Sequence, residues 1–334
     1  MSSKKTGISW TDMTLNPTVG CSLMSPGCTN CYAMKLAHRW SGVDGPVGRL
    51  YGGLTEVANN GEPVWTGVVR VSEKALLELL SMRRGKLIFV NSMSDIFHPA
   101  LALSDVARIW AVTALATQHT FQVLTKRPDR MRDWLNDPAT PGVVEAEMGK
   151  IRPGAGLQGW PLENVWIGTS VEDQKRANER IPILAEAKAA VRFLSVEPLL
   201  GPVSLAMAVD SKVLARLHWV IVGGESGPGA RPMHPDWPRA LRDECRRRRL
   251  RFFFKQVGTW GLPQPGIKRR TIGVMPDGRC VAVGTAGATT LAKLGAELAG
   301  ELLDGRLHQR FPAAYRRPPV QGTLPFGRPA KKAA

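Results

Sequence analysis

Leu87-Ile-Phe-Val90-Asn-Ser-Met-Ser-Asp95, then Ser104–Gln118, then Phe121-Gln-Val-Leu124-Thr-Lys-Arg-Pro128 is the stretch on which the fold turns. A short apolar run ends abruptly in polar residues, a helix-length amphipathic span follows, and a second apolar run ends in the same way. Both runs are continuous rather than alternating, as expected of strands buried on both faces of a parallel sheet. The span between them supplies the crossover helix, with Ser104 before Asp105 as its start signal. The stretch therefore reads as a βαβ unit.

The same unit recurs on the C-terminal side. Val165–Ile167 leads into Gly-Thr-Ser-Val-Glu172-Asp, and Val191–Leu194 into Ser-Val-Glu197-Pro198. Trp219–Val222 leads into Gly-Gly-Glu225-Ser-Gly, and Arg251–Phe254 into Lys255-Gln256-Val-Gly. Ser72–Arg83, Asp173–Lys188 and Pro235–Arg249 carry apolar residues at helical spacing. With an early strand near Ile8–Thr14, the total is six or seven. Two α/β architectures accommodate this rhythm: a partial or complete (β/α) barrel, and an open doubly wound sheet. Both place their chemistry at the C-terminal strand ends, where the polar residues lie.

Two Gly- and Pro-rich stretches, Ser41–Thr66 and Asp137–Glu163, read as loops or lids. After about Trp260 the β/α rhythm stops. Pro276-Asp277-Gly278 within Ile272–Val283 is a hairpin turn signal, and Thr289–Leu303 reads as a helix. The expected organisation is a three-cysteine barrel-like catalytic domain over 1–260, a small accessory region over 261–317, and a basic disordered tail over 318–334.

The chain of 334 residues is 43% apolar, enough for a sizeable core. No apolar run reaches the roughly 18–20 residues that span a bilayer, and the polar opening lacks a secretory signal. The expectation is a soluble protein of the cytoplasm without membrane contact; oligomeric state leaves no mark in the sequence. The net charge of +17 is unevenly placed: residues 231–334 hold 21 Lys and Arg against 7 Asp and Glu, including Arg246–Arg249 and Arg251. This basic C-terminal region suits a polyanion such as nucleic acid; a solvated basic face is the plainer reading.

Three of the five cysteines lie in Cys21-Ser-Leu-Met-Ser-Pro-Gly-Cys28-Thr-Asn-Cys31-Tyr32. Three thiolates on one loop can bind three irons of a [4Fe–4S] cluster and leave the fourth open. An open iron is what S-adenosylmethionine (SAM) chelates before reductive cleavage to a 5′-deoxyadenosyl radical, with the cofactor supplying the difficult chemistry. Zinc is the rival. It wants four ligands, so it must recruit His38, His98, Cys245 or Cys280. Cys245 reads more simply as a helix residue and Cys280 as a hairpin residue.

Ile8-Ser-Trp-Thr-Asp12, Asn16-Pro17, Gly20-Cys21, Pro26-Gly27-Cys28, Cys31-Tyr32-Ala33, Val90-Asn-Ser-Met-Ser-Asp95-Ile-Phe-His98, Phe121–Pro128, Ser195-Val-Glu-Pro198 and Gly223-Gly-Glu-Ser-Gly227 together resemble a phage-associated three-cysteine family of unknown function. That family is similar to radical SAM enzymes in its cysteines and its β/α rhythm. The resemblance covers about residues 7–260. It implies a barrel of radical SAM type, a [4Fe–4S] cluster with SAM, and an electron donor such as flavodoxin or ferredoxin. It also implies an isomerase or lyase type of reaction tied to hypermodification of thymine in phage DNA, in the host cytoplasm. Here the first cysteine gap is six residues and Asn30, not an aromatic, precedes Cys31, which departs from the C-x3-C-x2-C pattern of many radical SAM enzymes.

Roles for the strand-end residues follow. Asn91, Ser92, Ser94 and Asp95 are candidates to bond the methionyl amine or ribose, Asn91 and Asp95 foremost. Lys126 and Arg127 are candidate cations for the SAM carboxylate or a substrate phosphate. Glu172, Glu197 and Glu225 end three successive strands and suit an amine-bearing substrate or proton transfer. Each of these residues also has a bland reading as a turn or cap. Lys255 is a further phosphate contact, and Trp260 a base-stacking candidate. His98 and His119 are not convincing ligands. The competing function is a non-catalytic nucleic-acid-binding protein stabilised by zinc or an Fe–S centre.

Overall fold

The computed structural model describes residues 6–314. The six apolar runs and an early strand form one parallel sheet: β1 (Met13–Leu15), β2 (Leu87–Val90), β3 (Thr120–Thr125), β4 (Val165–Ser170), β5 (Val191–Val196), β6 (Trp219–Gly223) and β7 (Arg251–Gln256). They neighbour one another in chain order, and every pairing is parallel. A doubly wound sheet reverses its strand order at a switch point; this one never does. The sheet is a curled half-barrel, and the open-sheet alternative falls.

The main crossover helices are α1 (Tyr32–Ser41), α2 (Leu103–Leu115), α3 (Pro128–Asn136), α4 (Thr140–Ile151), α5 (Gln174–Glu186) and α6 (Asp236–Arg247). Helices α2 to α6 cover the convex face, where the largest apolar cluster lies, with Val90, Val123, Ile167, Leu194 and Val222 of the sheet facing Trp110, Trp134 and Leu241 of the helices; α1 packs in a separate cluster. The alternate strand residues point the other way. Phe89, Trp166, Phe193, Trp219, Ile221 and Phe253 pack with Trp10 into a second cluster on the concave face. Burial on both faces is why the runs are continuous rather than alternating.

Local signals fared unevenly. Asp173 caps α5 by accepting from the Arg176 amide, as an N-cap Asp should. Ser104 does not cap α2: the helix starts at Leu103, with Ala102 as its cap residue. The Gly-rich stretch before Thr66 is not bare loop. It holds a short helix (Pro46–Tyr51) and a hairpin of Thr55–Val57 with Pro63–Trp65. Tyr51, Leu54 and Trp65 of this stretch pack on α1. Likewise α4 lies inside the stretch read as a second lid.

Beyond β7 the chain forms a four-stranded antiparallel sheet of β8 (Trp260–Gly261), β9 (Thr271–Val274), β10 (Cys280–Val281) and β11 (Thr289–Lys293), in the order β8-β11-β9-β10. The expected hairpin is present, with Gly278 at φ +96° in its turn. The expected helix over Thr289–Leu303 is not. Its first five residues form β11, the strand between β8 and β9, and only Ala296–Ala299 is helical. The β-branched pair Thr289-Thr290 favours the pleated backbone, and Gly295, at φ +87°, breaks the run. The expected tail over 318–334 lies outside the described residues. No helix among the described residues is long and apolar enough to cross a membrane.

Candidate active site

The C-terminal ends of the parallel strands surround a cavity of about 260 Å³. Cys21, Cys28 and Cys31 form one wall; Asn91, Ser92, Ser94, Asp95, Lys126, Glu197, Glu225 and Lys255 contribute to the others. Trp10, Phe89 and Leu124 make the floor. All the residues expected at the site thus line one cavity except Glu172.

The cysteine loop leaves the short strand Thr18–Val19, turns through Pro26–Cys28 and enters α1. Its fastenings come from distant parts of the chain. Ser25 Oγ donates to Glu172 Oε1 (2.7 Å). Gly27 lies so close to the same side chain that a Cβ would stand 2.5 Å from Glu172 Cγ. Asn30 Nδ2 donates to Glu225 Oε2 (3.0 Å) and to the Gly229 carbonyl (2.9 Å). Ser22 Oγ accepts from Arg127 (2.7 Å) and meets His98 Nε2 (2.9 Å). The His98 Nδ1 accepts from the Ala100 amide, so Nε2 carries the proton and donates to Ser22. His98 is a loop anchor. His119 also accepts a backbone amide, that of Lys86.

The three carboxylates have separate situations. Glu172 is fully buried behind the cysteine loop. Its oxygens meet Ser25, Lys126 Nζ (3.4 Å) and Arg180 (3.1 Å). Burial acts to raise its pKa, but the two cations and the Ser25 bond outweigh it and hold the group below the usual range. Glu225 is likewise held low against its burial, by Arg231 and Asn30. Glu197 lines the cavity and pairs with Lys255 through Oε1 (2.7 Å), which Gln256 also approaches. Gly224 passes so close to the Val257 carbonyl that no side chain fits there, which accounts for the second glycine of the Gly-Gly-Glu sequence.

Asp95 lines the wall, yet both its oxygens are filled: Oδ1 by the Phe97 amide and Thr125 Oγ1, Oδ2 by the Lys126 amide and Arg127. It organises the wall and has no acceptor position to spare for a ligand. Ser92 donates to Asn16, and Ser94 accepts from Thr18. Asn91 differs. It is 3% exposed, its backbone lies in the left-handed region at φ +62°, and its Nδ2 donates to Thr18. Its Oδ1 has no hydrogen-bond partner. A buried orphan acceptor costs about 1–3 kcal/mol, and a strained non-glycine backbone is characteristic of functional sites.

The thiols suit a cationic metal centre. Burial foremost, then Asp95, pushes Cys21 up to about 12, and burial likewise raises Cys31, so the bare thiols are neutral. Cys31 lies near enough to raise the pKa of Cys21, and Cys28 near enough to raise that of Cys31. As they stand, no three His, Cys, Asp or Glu side chains among the described residues are gathered closely enough to hold a metal ion. Arg127 lies 4.0 Å from Cys21 Sγ, and Lys126 stands near Cys28 and Cys31. Two cations beside three thiolates complement an anionic cluster. Cys245 is buried in α6 and Cys280 is exposed on the hairpin, as their simpler readings have it.

A family model described as "Protein of unknown function (DUF5131)" matches residues 5–312. The chain belongs to the DUF5131 family. No curated protein and no solved structure matches it. For this DUF5131 chain, the residues that sequence reasoning left out are the loop fastenings: Ser22, Ser25, Asn30 and Arg180. Each acts across a contact that no local pattern reveals. Trp260, expected to stack on a base, is instead buried and donates Nε1 to the Ala230 carbonyl.

Proposed function

We propose that this chain is a radical SAM enzyme that holds a [4Fe–4S] cluster on Cys21, Cys28 and Cys31 and acts on a nucleobase-linked substrate. The observation that carries this reading is the pairing of one wall of three thiols with an orphan acceptor, Asn91 Oδ1, just past the C-terminal end of β2. Such an acceptor suits the amine or a ribose hydroxyl of SAM. When bound, the cluster and SAM supply a carbon radical able to remove hydrogen from an unactivated carbon.

This chain's residues do the positioning. Glu172, Asn30 and Ser22 fix the loop that presents the thiols. The apolar floor of Trp10, Phe89 and Leu124 keeps water from a reactive radical. Glu197, just after β5, and Lys255, in β7, line the same cavity and offer a proton acceptor and a cation to the substrate. The reaction type in view is isomerisation or lysis in the hypermodification of thymine in phage DNA, in a host cytoplasm, with flavodoxin or ferredoxin as electron donor.

The test is a visible spectrum of protein reconstituted anaerobically with iron and sulfide, beside Cys21→Ala, Cys28→Ala and Cys31→Ala. The expected outcome is a broad charge-transfer band, bleached by dithionite and absent from each variant, followed by reductive cleavage of SAM. A colourless protein holding one zinc would overturn the reading in favour of a metal-stabilised nucleic-acid-binding protein.

A further inference from the structure

The end of the half-barrel opposite the cavity carries a second concentration of charge. Parallel strands all start at one end, so the segments leading into them gather there. Arg192 starts β5, Arg216 leads into β6, and Arg246–Arg249 with Arg251 lead into β7. Backbone bonds tie these starts together: the His218 amide donates to the Arg192 carbonyl (2.9 Å), and the Arg251 amide to the His218 carbonyl (3.3 Å). The strands here are about 20 Å long, which separates this face from the cavity mouth.

The arginines on this face lack direct ion pairs. Among the described residues no carboxylate stands within salt-bridge distance of Arg192, Arg216, Arg246, Arg247, Arg249 or Arg251. By contrast, Arg180, Arg231, Arg239 and Arg242 are each paired with a carboxylate. Arg192 and Arg216 donate only to the Ala187 and Ala185 carbonyls. Burial and the neighbouring Arg216 hold the Arg192 guanidinium below its ordinary value. The nearby acids bond other partners first, and Asp243 feels Arg246 and Arg247 only at longer range. Asp243 pairs with Arg242, Glu186 with Arg132, and Glu244 accepts from the Leu205 and Ala206 amides.

The helix dipole explains part of this arrangement, since Arg246 and Arg247 end α6 and cations are favoured there. It does not explain Arg192, Arg216 or Arg251, which belong to strand starts. Like charges held together without counter-charges repel; a polyanion relieves the repulsion. Arginine dominates the set, and its planar fork matches phosphate. None of the exposed large apolar side chains among the described residues sits in these segments, as a membrane-inserting face would require.

We infer that this end of the half-barrel is a docking face for duplex DNA, which grips the phosphate backbone without reading sequence and lies apart from the cavity. It extends the nucleic-acid side of the function proposed above but stands independently of the cluster.

The test is fluorescence anisotropy of a labelled 30-base-pair duplex with the full-length reconstituted protein across a salt series. The triple variant Arg246→Glu/Arg247→Glu/Arg249→Glu probes the docking face, and Lys268→Glu/Arg269→Glu/Arg270→Glu serves as a control on the smaller sheet. Wild-type affinity is expected to fall steeply with salt and to be alike for unrelated sequences. The docking-face variant is expected to bind at least about tenfold more weakly, with a log–log salt slope shallower by about 3, and to keep the visible spectrum and SAM cleavage. The control variant is expected to bind as wild type. Unchanged binding by the docking-face variant, loss in the control variant alone, or binding of anionic phosphatidylglycerol vesicles but not DNA would each overturn the inference. Intact DNA binding by a colourless protein would sink the radical reading and leave this one standing.

Discussion

Asn91 and Asp95 sit four positions apart on the same wall and answer opposite questions. Asp95 receives four donors, one of them the Arg127 guanidinium, which is itself 5% exposed. Asp95→Asn leaves that cation buried without its counter-charge. The expected loss is about 3–5 kcal/mol, read by urea denaturation, together with loosening of the Cys21 loop that Arg127 holds through Ser22. Stability within 1 kcal/mol of wild type would mean that water reaches Arg127. Asn91→Gly is the complementary change. Glycine accepts the left-handed backbone freely, which offsets the lost bond to Thr18, and the orphan Oδ1 disappears. The fold is expected to keep its melting temperature while affinity for SAM, measured by calorimetry, drops about tenfold, about 1.4 kcal/mol. Undiminished affinity would remove Asn91 from the ligand site.

The elements divide into those whose pattern was local and those whose pattern was not. Six of the seven parallel strands were legible because each is a short apolar run ended by polar residues, whereas β1, expected near Ile8–Thr14, lies at Met13–Leu15; the cysteine loop was legible because its three thiols are close in sequence. Helix α5 was visible through the helical spacing of apolar residues over Asp173–Lys188. The strand β11 was misread because Leu291, Leu294 and Leu298 mimic helical spacing, and only its pairing with β8 and β9 decides the matter. The loop fastenings were illegible for the same reason at longer range: Ser25 and Glu172 are 147 positions apart. The error over β11 carries its own prediction. Leu291 is 1% exposed and packs with Ala230, Trp260 and Val274. Leu291→Ala is expected to cost about 2–4 kcal/mol and to loosen the segment after Glu225, to which Ala230 belongs. Thermal melting reads the first effect, and proteolysis near residue 230 the second. A helix at this position would have left Leu291 exposed and the variant nearly neutral.

The half-barrel, taken whole, is polarised: aromatic side chains fill its concave base, polar groups and thiols crowd one end, and unpaired arginines crowd the other. Its histidines report on the same polarity. His98, His119, His218 and His234 are all held below the ordinary imidazole value by burial, His98 down to about 4. All four accept a backbone amide at Nδ1, those of Ala100, Lys86, Arg192 and Asp236. A protonated ring cannot accept there. In the unfolded chain the same residues take up protons near pH 6.5. Between that value and the lower folded values the unfolded state binds more protons than the folded one, so stability falls as pH falls. The melting temperature of the metal-free protein is therefore expected to hold above pH 7 and to decline by several degrees by pH 5.5, before the depressed carboxylates Glu172 and Glu225 begin to titrate. His119→Gln and His234→Gln, which replace a neutral acceptor with another neutral acceptor, are expected to flatten that decline. A melting temperature constant from pH 7.5 to 5.5 would mean that these four rings are charged in the fold, and that the amide bonds assigned to them are not made.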